Sequence, residues 1–186
     1  MSHLLSYVSA TYRIMYDNLA QYWDDTSSDT KNRIYGDSNV HTIDKYKTFF
    51  SSPTEIIDGI YLGSAYNAAN YHQLTNLGIE VIINVTKEIS IYFPNFYEYK
   101  KIELYDNDDA NIEDYLEESL EYIRKNKGRK IFIHCKMGAS RSVSILLYYM
   151  IKEHNMKLDE ALQMIKEKRI IINPNNKFIS ILKKYE

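Results

Sequence analysis

The chain has one cysteine, so no intramolecular disulfide can form, and a reducing compartment, cytoplasmic or nuclear, is expected. An excess of charge of one sign is also missing: 23 Lys and Arg against 25 Asp and Glu leave a formal charge of −2. A broad nucleic-acid surface needs a basic face, so no nucleic-acid partner is expected. No run approaches the roughly 18 apolar residues of a membrane span. The polar, Tyr-rich first stretch does not have the form of a signal peptide, and no membrane partner is expected. The five His are scattered without metal-ligand spacing, so neither a metal nor a cofactor is expected. There are no internal repeats and no low-complexity tract. A Walker loop is absent too, because the loop at Gly138 lacks the Gly-Lys-Ser/Thr that nucleotide binding needs.

What is present is enough for one ordinary domain with an extension, within 186 residues. Leu4, Val8, Tyr12, Met15, Leu19 and Tyr22 form a stripe with helical steps of three and four. The polar run at 24–29 then reads as a linker, and residues 30–52 carry no assignment. The stripe either packs on its own domain or offers a face to a second copy, in which case a homodimer through this helix follows. The expected division is an N-terminal extension at 1–53 and one folded domain at 54–186.

From Ile56 the pattern becomes regular. Ile56 to Gly63 suggests a strand pair around the Gly59 turn. A helix is predicted over 65–76, closing at Gly78. Val81 to Val85 is a continuous apolar run, as in a strand buried on both faces. Lys101 to Tyr105 reads as another strand, delivering the chain to the acidic loop Asp106-Asn107-Asp108-Asp109-Ala110-Asn111. Ile112, Tyr115, Leu116, Leu120 and Ile123 mark a helix face, with Asn111 as N-cap and Gly128 past the end. A strand follows at 130–134. Val143, Leu146, Leu147 and Met150 then belong to a helix apolar on nearly every side, and hence central. Two more helices bury Leu158, Ala161, Leu162 and Ile165, and Phe178, Ile181, Leu182 and Tyr185. Helices alternating with apolar strands predict an α/β fold: a mostly parallel central sheet with helices on both faces, preceded by the helical extension.

The chemistry is concentrated at Ile131-Phe132-Ile133-His134-Cys135-Lys136-Met137-Gly138-Ala139-Ser140-Arg141-Ser142. A strand, a Gly-bearing loop and a helix start aim backbone N–H groups and a helix N-terminus at one point, which suits an anion. A Cys at the mouth of that cradle has its thiolate stabilised by the same donors. Arg141 adds a planar fork that matches phosphate oxygens two at a time. A thiolate nucleophile beside an oxyanion cradle is the equipment for covalent phosphoryl transfer.

His134-Cys135-x-x-Gly138-x-Ser140-Arg141-Ser142 resembles the signature of the cysteine-dependent dual-specificity phosphatases, and more closely their small, atypical members. Tyr61-Leu62-Gly63-Ser64, Asn84-Val85-Thr86 and Pro174-Asn175-x-x-Phe178 extend the resemblance over about residues 54–186. It implies the cysteine-phosphatase fold, with Cys135 as nucleophile and Arg141 as the clamp on two phosphoryl oxygens. The backbone of Lys136, Met137, Gly138, Ala139, Ser140 and Arg141 binds the rest of the phosphoryl group. Ser142 assists the departing thiolate, and His134 and Asn175 support the loop. The implied general acid lies six residues before the apolar residue that starts the next helix. Counting back from Ile112 gives Asp106, with Asp108 and Asp109 as nearby rivals.

The activity so implied is hydrolysis of phosphotyrosine and phosphoserine or phosphothreonine in a phosphoprotein, through a cysteinyl-phosphate intermediate. No Trp-Pro-Asp loop is present, which points away from the deep-pocketed tyrosine-only branch. Ile181 stands where many relatives carry Gln, leaving the positioning of the attacking water open. The alternatives are phosphoinositide or RNA 5′-phosphate hydrolysis, against which Lys136 is the one basic residue at a variable loop position, and a phosphopeptide-binding module, which has no need of Asp106.

Overall fold

A computed structural model describes residues 48–186. The expected helix at 4–23, its linker and a dimer built through it lie outside the described residues. The domain opens with a hairpin of β1 (Thr54–Ile57) and β2 (Ile60–Gly63). Its two-residue turn puts Asp58 at φ 52° and Gly59 at φ 75°. Two consecutive positive φ angles are what the tightest hairpin turn demands, and Asp-Gly supplies them at little strain.

Two short helices follow, α1 (Ala65–Ala68) and α2 (Tyr71–Leu77), where one helix was expected over 65–76. The chain breaks at Asn70 because its side-chain carbonyl accepts from Gln73 N at 3.1 Å and so caps a new helix. Gly78 closes α2 in the left-handed conformation at φ 70°, as expected.

Next come β3 (Val81–Asn84), β4 (Glu98–Lys101), α3 (Glu113–Lys125) and β5 (Ile131–His134). The strand expected at 101–105 therefore lies earlier. The pairing stops after Ile102 N donates to Asn84 O, because β3 ends there and offers no further partner. Beyond it Ile102 and Leu104 are still buried, so their apolar character reports packing rather than a ladder. At α3, Ile112 occupies the cap position, yet Asn111 Oδ1 still accepts from Glu113 N at 3.3 Å. The chain ends with α4 (Arg141–His154), α5 (Leu158–Lys168) and α6 (Asn176–Leu182), then a 3₁₀ turn at Lys183–Tyr185.

The strands form one sheet in the order β1-β2-β5-β3-β4, parallel except for β1. Alternation along each strand divides the core into two layers. Ile60, Leu62, Val81, Ile83, Ile131 and Ile133 join the cluster beneath α3, α4, α5 and α6. Tyr61, Ile82 and Phe132 face the opposite cluster, with Leu74 and the aromatics Tyr92, Phe93 and Tyr97. Every residue from Arg141 to Ile151 is buried, which makes α4 the central helix. Among the described residues no helix is long and apolar enough to cross a membrane.

The sheet order positions the site. β5 lies between β2 and β3, with Gly63 and Asn84 both opposite His134. The loops leaving all three strands therefore emerge side by side at one edge, where ligand sites form in parallel sheets.

Leu147 is fully buried on α4. Leu147→Ala should lower unfolding free energy by about 2–5 kcal/mol, through lost burial and the cavity left behind. Urea unfolding at unchanged denaturant slope is the measurement; a midpoint matching wild type would contradict the central placement of α4.

Candidate active site

A backbone loop can present its N–H groups inward only if its carbonyls are occupied outside. From the end of β5 onward, the carbonyls of His134, Lys136, Met137, Gly138, Ala139 and Ser140 each have such a partner. His134 O accepts from Val85 N at 2.8 Å, and Lys136 O from Ala65 N at 3.0 Å. Met137 O accepts from Arg169 Nη2 at 3.3 Å, and Gly138 O from Arg169 Nε at 2.8 Å. Ala139 O accepts from Asn173 N, and Ser140 O from Ser144 N, both at 2.8 Å. The peptide bonds here are trans, so each carbonyl turned out sends the next residue's N–H the opposite way. Gly138 N accordingly donates to Cys135 Sγ at 3.2 Å. Gly138 itself has φ 69°, and a Cβ there would collide with the Gly63 carbonyl and with Arg169.

Cys135 lies at the floor of this loop, 1% exposed, at the start of the turn into α4. Burial alone would push its thiol up. The nearby Arg141 charge, the Ser142 hydroxyl at 3.3 Å and the Ser142 backbone N–H outweigh it, and the thiol is held below its ordinary value despite the Asp106 carboxylate. His134 is buried and stacked on Phe132 with ring centroids 5.4 Å apart. Burial pushes its imidazole down to about 3, so the ring is neutral, and its Nδ1 sits 3.3 Å from the Cys135 carbonyl. A carbonyl only accepts, so that nitrogen carries the proton. The ring therefore braces the loop and has no charge to contribute.

Arg141 opens α4 with a nearly buried guanidinium. Nη1 donates to Glu88 Oε2 at 2.9 Å and to Leu104 O at 3.0 Å, while Nη2 donates to Glu88 Oε1 at 2.7 Å. This two-point pair occupies one edge of the fork. Nε, on the other edge, is buried and has no hydrogen-bond partner among the described residues. For Glu88 burial raises the carboxyl, but the Arg141 hydrogen bond and charge win and hold it below its ordinary range.

Asp106 approaches from the segment before α3. Its Oδ1 accepts from Ser140 Oγ at 2.8 Å, and its Oδ2 is 3.8 Å from Arg141 Nε. Ser140 Oγ in turn accepts from Asn175 N at 3.0 Å, so α6 is tied to the same carboxylate. Asn175 Oδ1 caps α6 by accepting from Lys177 N at 2.8 Å. Asp108 and Asp109 are exposed further along, with the Asp108 carbonyl accepting from Lys177 Nζ at 2.6 Å. Ile181 packs in the core beside α4. Among the described residues no group of three or more His, Cys, Asp or Glu could hold a metal ion.

Two residues at this site carry no distinct signal in the sequence. Glu88 lies in the loop after β3, held by a network in which Thr86 Oγ1 donates to Asn84 Oδ1 at 2.7 Å and accepts from Ile89 N at 3.1 Å. Lys101 Nζ joins the same network through the Ile89 carbonyl. The Asn-Val-Thr at 84–86 was a clue to this loop, but nothing in one dimension puts it beside Arg141. Arg169 ends a helix rich in Lys and Glu and reads there as one more solvated charge.

The sequence model of the family described as dual specificity phosphatase, catalytic domain, matches residues 60–186. The chain is 40% identical to human protein phosphatase Slingshot homolog 2 over 137 residues, which are 73% of this chain and 10% of that protein. It is 40% identical to human dual specificity protein phosphatase 1 over 136 residues, 72% of this chain and 37% of that protein. The chain thus spans between about a tenth and just over a third of these relatives' length. Among solved structures, human DUSP28 is similar at TM-score 0.67 and 25% identity, over 73% of this chain and 97% of that one. Human tyrosine phosphatase-like serine/threonine/tyrosine-interacting protein is similar at TM-score 0.67 and 28% identity, over 72% and 95%.

The Glu88 pair generates a prediction. Glu88→Ala removes two of the three hydrogen bonds that, among the described residues, hold the Arg141 guanidinium still, leaving only the one to Leu104 O. Since a hydrogen bond to a charged group contributes about 1.5–3 kcal/mol, kcat/KM for an aryl phosphate should fall about tenfold to a hundredfold. Unchanged kinetics would reduce Glu88 to an ordinary surface ion pair.

Proposed function

We propose that this chain, which belongs to the dual-specificity phosphatase family, is a protein phosphatase that hydrolyses phosphotyrosine and phosphoserine or phosphothreonine through a cysteinyl-phosphate intermediate. The observation that carries the reading is the Cys135 sulfur, held below its ordinary pKa at the floor of an inward-facing N–H loop. The buried Nε of Arg141, without a hydrogen-bond partner among the described residues, supports the same reading.

In this reading the phosphoryl oxygens sit among the N–H groups of residues 136–141 and the Nε edge of Arg141. The thiolate attacks phosphorus, forming the S–P bond as the P–O bond to the substrate breaks. Asp106 gives its proton to the departing oxygen. Water then attacks the thiophosphate, Asp106 takes the water's proton, and the S–P bond breaks to release inorganic phosphate. The Ser142 hydroxyl, already donating to Sγ at 3.3 Å, stabilises the thiolate as it leaves. Preorganised donors of this kind are each worth on the order of 100-fold in rate. The enzyme needs its thiolate reduced, in keeping with a reducing compartment.

Proteins are favoured over phosphoinositides or RNA ends because the loop between Cys135 and Arg141 carries Lys136 as its one basic residue. Full-length protein assayed on phosphotyrosine and phosphothreonine peptides, a phosphoinositide and a 5′-phosphorylated RNA tests this. Turnover confined to the last two would overturn the protein-directed reading. Cys135→Ser should abolish turnover while the fold survives. Asp106→Asn should depress turnover strongly for phosphotyrosine peptide and less for aryl phosphates with more acidic leaving groups. Equal loss on both substrates would make Asp106 structural.

The pH dependence follows from the depressed thiol. The thiolate is the reactive form, so a lowered pKa moves the acid limb of kcat/KM below the free-cysteine value of about 8.5. Ser142→Ala removes a hydrogen bond that favours the thiolate and should shift that limb upward. Iodoacetate alkylation rates against pH would show it. A limb that does not move would remove Ser142 from the set of thiolate donors.

A further inference from the structure

Arg169 is completely buried just past the C-terminal end of α5. Charges at such depth are ordinarily paired, because desolvation is costly and an apolar residue of similar volume would pack without that cost. Among the described residues Arg169 forms no ion pair. Burial pushes its guanidinium down to about 10, which still leaves it charged at neutral pH. Its donors go to neutral oxygens: Gly138 O at 2.8 Å, Met137 O at 3.3 Å and Thr54 Oγ1 at 3.4 Å.

The two carbonyls are consecutive, and Nε with Nη2 is one edge of a rigid planar fork. The same edge therefore fixes two successive peptide planes. The second plane follows Gly138, whose φ of 69° marks the one loop residue with wide backbone freedom. A glycine peptide can swing its carbonyl inward, where it would face the anion and repel it.

We propose that the anion affinity of this loop is set by bracing its carbonyls from outside, with Arg169 as the principal positioning residue. By holding the Met137 and Gly138 carbonyls out, it aims the N–H groups of Gly138 and Ala139 at the bound oxyanion. Ala65 N performs the same task for the Lys136 carbonyl at 3.0 Å. The proposal rests on the reading of this loop as a phosphoryl site.

Orthovanadate, a phosphate-like oxyanion, is the probe. Arg169→Lys keeps the charge but loses the rigid planar fork that fixes both carbonyls, and should weaken vanadate binding by about tenfold or more, given what one preorganised donor is worth. The acid limb of Cys135 alkylation should rise with it, a change that loss of packing alone would not produce. Ala65→Pro is the second variant. Pro fits the first helical position, and Ser64 already has the extended backbone (φ −97°, ψ 174°) that a following Pro requires. It removes only the N–H that holds the Lys136 carbonyl, and should weaken vanadate severalfold. Folded Arg169→Lys with wild-type vanadate affinity overturns the proposal, whatever its melting temperature. If Arg169→Lys does not fold, Ala65→Pro decides: weakened binding supports bracing, and unchanged binding overturns it. Wild-type protein that binds vanadate yet turns over no phosphomonoester would overturn the proposed function instead, and would leave the bracing result standing.

Discussion

A peptide group is a donor and an acceptor joined back to back, and the site depends on that constraint. An anion can be met by a run of backbone N–H groups only where the matching carbonyls find partners on the far side. Here those partners come from distant parts of the chain: Val85 after β3, Ala65 at α1, Arg169 after α5, Asn173 before α6. Sheet order makes this possible, because β2 and β3 flank β5 in register and release their loops beside its own. The fold places the cysteine and also assembles the outer shell that turns the loop's polarity inward.

The electrostatics are balanced by the same geometry. Burial penalises the Cys135 thiolate, and Arg141 with the Ser142 donors more than offsets it. Arg141 is itself buried, and the Cys135, Glu88 and Asp106 charges more than compensate, which raises its pKa further. Glu88 is thus a counter-charge as well as an orienting group. Its folded pKa is depressed, so the pairing contributes stability above the unfolded carboxyl value, and that contribution is lost as pH falls through the folded one. His134 takes no part in this balance. Kept neutral near pKa 3, it adds no positive charge beside Arg141.

What could be read in one dimension was what lies close in one dimension. Cys135, Gly138, Ser140, Arg141 and Ser142 fall within eight positions, and their spacing alone implies a strand, a loop and a helix start. The continuous apolar run at 81–85 announced a strand buried on both faces, and Val81, Ile82 and Ile83 do divide between the two core layers. The misplaced strand at 101–105 fails for a physical reason: Ile102 and Leu104 are apolar because they pack, and hydrogen bonding had ended with β3. The helix at 65–76 was split by the cap at Asn70, a local signal outweighed by the surrounding apolar pattern. Glu88 and Arg169 stayed illegible because their meaning depends on strand order and on a packing contact across 31 residues, from Arg169 to Gly138.

In the proposed reading the backbone loop, Arg141 and Cys135 all address the phosphoryl group, the part shared by every phosphomonoester. Selection among substrates must then come from what surrounds the loop. Tyr105 is half exposed immediately before Asp106, and Lys87 Nζ stands 5.1 Å from its ring centre. Phe50, also exposed, packs edge-on against Tyr66, one residue past the Ala65 that braces the loop. None of these side chains holds a loop carbonyl, whereas a Cβ at Gly138 or the loss of Arg169 touches the cradle directly. The division is physical: the inner surface, backbone together with the Cys135, Arg141 and Ser142 side chains, is held by the fold, and the rim is made of exposed side chains.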